Sequence, residues 1–281
     1  MNHSIDRTAL LDEGARFLEE NGIENARYDA GELLKMIDGD SPEDAARYRA
    51  LLQRRADRYP LQYLLREWDF YNLSFSVEEG VLIPRPETEL LVDLALDFLK
   101  QRFGEGRPAR VLDLCSGSGC VGITVERNFA NCEVTAVELS DQACGIIRAN
   151  MDRNGTERFT LKQGDLFDGP AAFGIAGADL ILANPPYLTK EEMDSLQTEV
   201  GYEPGLALYG GEDGLRFYRA IAEQWLPVLD KGGLIAVEIG EQQGDTVQSL
   251  LAGFSDNCVV LRDYAGLPRV VVSGPSFSLT I

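Results

Sequence analysis

Histidine is all but missing from this chain: His3 is the only one among 281 residues. A histidine-based metal site or a Ser-His-Asp triad needs more than that, so much of hydrolase chemistry is excluded by inventory. Cysteine is scarce as well. The five present, Cys115, Cys120, Cys132, Cys144 and Cys258, form no Cys-x-x-Cys pair and mostly sit in or beside apolar runs. They read as small core residues, not as disulfides or ligands, and no metal is expected. Positive charge is short, with 26 basic against 46 acidic residues and a net charge of -20. A field of that sign repels nucleic acid, so no direct nucleic-acid partner is expected. Arg47, Arg49, Arg54, Arg55 and Arg58 make a local exception; a solvated helix face with ion pairs to its neighbours is favoured there over a basic docking face. No apolar run approaches the length of a membrane span. Residues 1–20 mix Asp6, Asp12, Glu13, Glu19 and Glu20 with apolar positions, which suits neither a signal peptide nor a transit peptide. A cytoplasmic monomer without membrane contact is the expectation.

What is present is the makeup of a soluble globular protein, 44% hydrophobic and 26% charged. The length allows a standard domain with a smaller one attached. Residues 1–59 carry a helical pattern: 29–37 places apolar residues at helical spacing with Gly39 just beyond, and Ser41-Pro42-Glu43-Asp44 supplies an N-cap, a proline at the first helical position and early acids. Pro60 is expected to end the last of these helices. The small helical domain is thus drawn as 1–66. Residues 67–84 alternate in part and are rich in aromatic and β-branched side chains, which suggests a β-hairpin linker.

The larger domain, 85–281, opens with helical periodicity over 87–103. Short apolar runs then alternate with helical segments, at 111–115, 134–139, 159–162, 179–183, 234–239, 259–262 and 269–272. The first several read as parallel strands covered on both faces, which is what near-continuous apolar runs require. The last two are separated by residues 263–268, too few for a helical crossover, and should pair antiparallel at the end of the sheet. The fold class is α/β, an open, Rossmann-like sheet of seven strands. No internal repeat or low-complexity segment interrupts it.

Three stretches carry chemistry. Asp113-Leu114-Cys115-Ser116-Gly117-Ser118-Gly119-Cys120-Val121-Gly122 runs from a strand into a helix. Its glycines let backbone approach a ligand closely, and the helix start offers free N–H groups. Gly117, Gly119 and Gly122 match G-x-G-x-x-G, and Glu138, at the end of the next strand, stands where a ribose-binding acid belongs. Ligands containing a nucleoside are favoured; the motif alone does not say which. Asp165, after the third strand, is placed to accept from an adenine amino group while Leu166 packs the ring. Asn184-Pro185-Pro186-Tyr187 follows the fourth strand directly. Its two prolines stiffen the loop and lack donors, Asn184 adds a side-chain acceptor, and Tyr187 an aromatic wall. An NH2 group held by two acceptors turns its lone pair toward an electrophile. That is a site for alkylating a planar amino group or amide.

Taken together with 60–63 (PLQY), 81–89 (VLIPRPETE), 203–215 (EPGLALYGGEDGL) and 263–271 (DYAGLPRVV), this tetrapeptide makes the chain resemble the release factor glutamine methyltransferase family, HemK/PrmC. The resemblance spans 60–271, and the helical start agrees with that family's N-terminal bundle. It implies the methyltransferase form of the fold and methyl transfer from S-adenosyl-L-methionine to the glutamine of the Gly-Gly-Gln loop in bacterial class I release factors. By position it implies that Asp113 and the loop residues Cys115, Ser116, Gly117, Ser118 and Gly119 bind the cofactor, with Glu138 on the ribose hydroxyls and Asp165 and Leu166 at the adenine. Asn184, also bordering the cofactor, would hold the glutamine with Pro185, Pro186 and Tyr187; Asn184, Pro185 and Tyr187 carry catalysis. Cys115 stands where the family has the first glycine of its loop, and a tolerated change is expected there. Three alternatives differ in substrate or class: a glutamine methyltransferase of a ribosomal protein, an adenine-N6 nucleic-acid methyltransferase and a nicotinamide-dependent oxidoreductase. The segment 83–89 argues against the first, net charge against the second, and the tetrapeptide, otherwise without a role, against the third.

Overall fold

The computed structural model describes residues 6–276 apart from 105 and 256, so His3 lies outside the described residues. Two compact units make up the chain. One comprises Met1–Trp68, Val77–Glu79 and Leu196–Tyr202, the other Asp69–Ser76, Gly80–Ser195 and Glu203–Ile281.

The smaller unit contains α1 (Arg7–Glu20), α2 (Ala26–Lys35), α3 (Pro42–Ala56) and α4 (Leu61–Leu65). Asp6 caps α1 by accepting from the N–H groups of Thr8 and Ala9, and Ser41 with Asp44 forms a reciprocal capping box at α3. Leu18, Leu33 and Tyr48 are closed to solvent between the helices. The Tyr48 hydroxyl donates to the Ala30 carbonyl at 3.1 Å, and it fits because Gly14 has no Cβ, which would stand 2.2 Å from it. Pro60 differs from expectation: α3 already stops at Ala56, capped by Asp57, and Pro60 instead occupies the N-cap of α4. Proline suits a helix start because the N–H it lacks would find no intrahelical partner there.

The arginine group is engaged within this unit, as ion pairing with neighbours requires. Arg49 meets Glu13 at 2.7 Å, Arg47 meets Asp44 at 3.6 Å, and Arg54 lies 4.0 Å over the Tyr59 ring. Arg55 pairs with the buried Asp29 at 2.7 Å, and it shares Glu199 with Arg58, each at 3.2 Å.

A two-stranded sheet, β1 (Glu67–Phe70) with β2 (Leu73–Ser76), covers only the first part of the hairpin expected over 67–84. Beyond it the larger unit is built from α5 (Glu89–Arg102), β3 (Ala109–Leu114), α6 (Cys120–Asn128), β4 (Cys132–Glu138), α7 (Asp141–Asn154), β5 (Phe159–Gln163) and β6 (Ala178–Ala183). It continues through the short helices α8 (Lys190–Met193), α9 (Gly205–Leu208) and α10 (Arg216–Ala220) to β7 (Leu229–Glu238), α11 (Gly244–Leu251), β8 (Cys258–Arg262) and β9 (Pro268–Ser273). The seven strands β3 to β9 form one sheet in the order β5-β4-β3-β6-β7-β9-β8, parallel from β5 to β7. β9 is antiparallel to both its neighbours, so the last two runs do close the sheet as expected.

Both faces are covered. Val111, Leu180, Leu182 and Leu234 pack with Leu91, Phe98 and Ile123 on one side, while Leu112, Ile181, Ile235 and Val237 pack with Ile221, Trp225 and Leu251 on the other. That two-sided burial is why the strands read as continuous apolar runs. Chain order reverses between β3 and β6, and a crevice opens at the carboxyl ends of strands flanking such a switch point. The glycine loop leaves β3 there, and Asn184 leaves β6.

Candidate active site

A cleft opens at that switch point, with an empty volume of about 1010 Å³ that includes the solvent at its mouth. Cys115, Ser116, Gly117 and Ser118 line one part of it with Glu138, Asp165 and Leu166; Asn184 and Pro186 line another.

The glycine loop is shaped by its carboxylates. Asp113, 2% exposed, accepts from the Ser116 hydroxyl at 2.6 Å and the Gly122 N–H at 3.1 Å. Burial pushes its carboxyl up to about 6, partly opposed by those two donors. Gly122 is required for the approach, since a Cβ there would stand 2.8 Å from the Asp113 carboxylate. Glu138 accepts from the Gly117 and Ser140 N–H groups, each at 2.8 Å, and burial raises its carboxyl while these bonds restrain the rise. Gly117 (φ 59°) and Gly119 (φ 80°) take left-handed conformations, and over Gly117 there is open space. Cys115 is left-handed as well, at φ 58°. The substitution therefore keeps a glycine-like backbone at a cost of about 1 to 2 kcal/mol.

Asp165 turns its own chain by accepting from the Phe167 N–H at 3.0 Å, and the Leu166 carbonyl is fixed by the Trp225 indole N–H at 3.0 Å.

At the tetrapeptide, the Asn184 Nδ2 donates to the Thr88 hydroxyl at 3.1 Å, which in turn donates to Glu238 at 2.6 Å. Pro185 and Pro186 are buried. Tyr187 lines a second, more polar cavity with Gln243 and Arg269, and Glu238 and Arg85 act on its phenol from the side of Asn184. Gln243 Nε2 holds the Tyr187 carbonyl at 3.0 Å and the Gly214 carbonyl at 3.2 Å, clamping the loop against its neighbour. Burial raises the Tyr187 phenol to about 12, so it stays neutral.

Of the segments that carried only resemblance, 81–89, 203–215 and 263–271 lie in this larger unit. Glu203, buried, accepts from the Ile83 N–H at 2.9 Å and pairs with Arg85, tying 203–215 to 81–89. Leu188 and Tyr209 form an isolated parallel bridge, and Gly210 and Gly214 lie so close to the tetrapeptide that a Cβ would stand 2.7 Å from the Pro186 carbonyl oxygen and 2.3 Å from that of Tyr187, respectively. Asp263 gathers the N–H groups of Ala265 and Leu267 and pairs with Arg269 at 3.1 Å. Thr88, Glu238, Gln243 and Phe217, a further cleft residue, carry no motif of their own. Of these only Thr88 lay in a recognisable segment.

Comparison with known proteins gives this arrangement its relatives. Residues 88–200 match the family model of the methyltransferase small domain. A release factor glutamine methyltransferase of Thermodesulfovibrio yellowstonii is 40% identical over 84% of this chain and 84% of its own, and one of Geobacter sulfurreducens is 38% identical over 93% and 94%. The chain belongs to the release factor glutamine methyltransferase family. The fold extends further than that family: the catalytic domain of hMettl16, solved with an RNA hairpin, superposes with a TM-score of 0.54 at 13% identity, covering 85% of this chain and 84% of that one. Asn184 and Pro186 of the tetrapeptide border the same cleft as the glycine loop.

Proposed function

We propose that the chain transfers a methyl group from S-adenosyl-L-methionine to the side-chain amide nitrogen of the glutamine in the Gly-Gly-Gln motif of bacterial class I release factors. The observation that carries the reading is a single cleft bordered by the glycine loop, Glu138 and Asn184. The residues fit the donor. Glu138 is an acceptor whose two oxygens, each holding one backbone N–H, keep lone pairs for ribose hydroxyls. Open space over Gly117 admits a ligand against the loop. Asp165 and Leu166 would border the adenine, and the carboxylates of Asp113, Glu138 and Asp165 favour a cation in the cleft. When bound, S-adenosyl-L-methionine supplies a methyl group on a positively charged sulfur.

An amide nitrogen is a poor nucleophile because its lone pair is delocalised, so the chain's main contribution is orientation, which can supply on the order of 7 kcal/mol or more. Asn184 Oδ1 and the Pro185 carbonyl would accept from the acceptor NH2 and fix its plane. Tyr187, its buried phenol within reach of Glu238, Arg269 and Arg85, would wall the acceptor site beside Asn184. The smaller unit would dock the release factor. Because its arginines are already paired, docking would draw on shape and exposed apolar groups such as Tyr28 more than on a basic face. A monomer in the cytoplasm suits this substrate.

The test is transfer of labelled methyl to a purified release factor, with the site located by peptide mass spectrometry. One methyl on the Gly-Gly-Gln glutamine, absent when that glutamine is replaced by alanine, is the expected result. Methylation of a ribosomal protein or of adenine with none on the release factor would overturn it.

A further inference from the structure

The bonding around Asn184 leaves open what decides which end of its carboxamide meets the acceptor. An amide has a donor end and an acceptor end of nearly the same shape, and only the oxygen can receive an NH2 group. Thr88 supplies one of the two atoms that settle this. It ends a turn of 3-10 helix, Pro86–Thr88, directly before α5, and its N–H donates to the Arg85 carbonyl at 3.1 Å. Glu238 supplies the other. It is the last residue of β7, and its carbonyl is held by the Tyr218 hydroxyl at 2.8 Å. Thr88 and Glu238 are each 2% exposed, so no solvent competes for the hydroxyl between them.

We propose that Thr88 and Glu238 are positioning residues for methyl transfer: Glu238 accepts the Thr88 hydroxyl's one hydrogen bond, and Thr88 can then only accept, which commits Asn184 Nδ2 to Thr88 and turns Asn184 Oδ1 toward the acceptor amide. The inference rests on the reading of Asn184 as the residue that holds that amide. Its logic follows from counting protons. A threonine hydroxyl has one hydrogen, and a carboxylate has none to give. The 2.6 Å bond from Thr88 to Glu238 therefore runs in one direction only, and the 3.1 Å bond from Asn184 Nδ2 must run toward Thr88. Rotating the carboxamide by half a turn would set its oxygen against the threonine oxygen, two acceptors facing each other in a buried place.

The arrangement depends on the charge of Glu238. Protonated, Glu238 gains a hydrogen to give to Thr88, whose own hydrogen is then free to bond Asn184 Oδ1, and the preference disappears. Several groups set that charge. Arg269 from β9, Arg85 and Glu87 from the segment before α5, Tyr187 from the tetrapeptide, Tyr218 from α10 and Cys120 from α6 act on the carboxyl. Burial is the largest influence and raises it to about 7, with the Thr88 bond and Arg269 opposing. The orienting form is the carboxylate, so turnover is present above that value and lost as pH falls through it.

The experiment compares the full chain with Thr88→Val, Thr88→Ser and Glu238→Gln, measuring kcat and KM for methylation of a release factor and the Kd for S-adenosyl-L-methionine. Misorientation of one reacting group should lower kcat by about tenfold to a hundredfold in Thr88→Val and Glu238→Gln, leaving KM and Kd within about twofold. Thr88→Ser keeps the hydroxyl and should retain kcat within about threefold. Between about pH 6 and about pH 9 the unaltered chain should lose kcat on the acid side near 7, and Glu238→Gln should lack that limb. Wild-type kcat in Thr88→Val, or an acid limb that survives in Glu238→Gln, would overturn the proposal. If Thr88→Val does not fold, the pH profile of Glu238→Gln and the rate of Thr88→Ser decide. A chain that binds the cofactor yet methylates no release factor would remove the role of Asn184 and this inference together. That failure differs from active wild type with indifferent variants, which removes the inference alone.

Discussion

The two ends of the cleft are held by different means. At the glycine loop, Asp113 and Glu138 are engaged mainly by backbone N–H groups, those of Gly122, Gly117 and Ser140. At the acceptor end, Asn184, Thr88 and Glu238 are joined side chain to side chain. A backbone donor cannot rotate away or change its charge, so the loop's geometry follows once β3 and β4 have paired. A side-chain relay has rotamers and a protonation state to lose. The donors at the cofactor end are thus fixed by the backbone, and the end that must distinguish one carboxamide orientation from its half-turn depends on side-chain rotamers and charge.

Substitutions separate the two. The largest effect is expected from Asn184→Ala, which removes the acceptor's orienting group: kcat for release factor methylation should fall about a hundredfold to a thousandfold while cofactor affinity changes little. Parallel loss of cofactor affinity, read by calorimetry, would show that the two ends are not separable. Next is Glu138→Ala, expected to weaken cofactor binding by about 1 to 3 kcal/mol, the value of bonds to a charged acceptor. NAD should not bind in either form. A Glu138→Ala chain with undiminished affinity would mean that the carboxylate serves only Gly117 and Ser140. The smallest effect belongs to Cys115→Gly. Relief of the left-handed strain is worth about 1 to 2 kcal/mol, offset by the greater backbone freedom of glycine when unfolded, about 0.5 to 1 kcal/mol. A gain of up to about 1.5 kcal/mol in urea denaturation, with turnover unchanged, is the expected net result; a loss would mean that the thiol's packing outweighs the backbone term.

The same contrast governs what could be read in the sequence. The seven strands were visible because burial on both faces demands unbroken apolar runs, and the loop was visible because its glycines and its acid lie close along the chain. β7 was placed late, at 234, although it starts at Leu229, since Asp230, Lys231 and Gly232 interrupt the apolar pattern. Pro60 looked like a terminator because proline breaks helices, and nothing local shows that a short helix begins after it. The left-handed angle of Cys115 is hidden by a side chain that usually avoids it. Glu238 was missed for a deeper reason. It closes an apolar strand and its partner Thr88 is 150 residues away, so no local pattern joins them. The Tyr187 carbonyl is likewise held by Gln243, 56 residues on. Contacts made by the path of the backbone leave a trace in local sequence; contacts between side chains brought together by the sheet do not.

The strand order also has a consequence for the chain while it is being made. β9 emerges from a ribosome after β8 yet must enter between β8 and β7. Until residues 268–273 are free of the exit tunnel, β7 has a bare outer edge and β8 has no partner at all. An apolar strand with an open edge is what nascent chains join wrongly, to one another or to themselves.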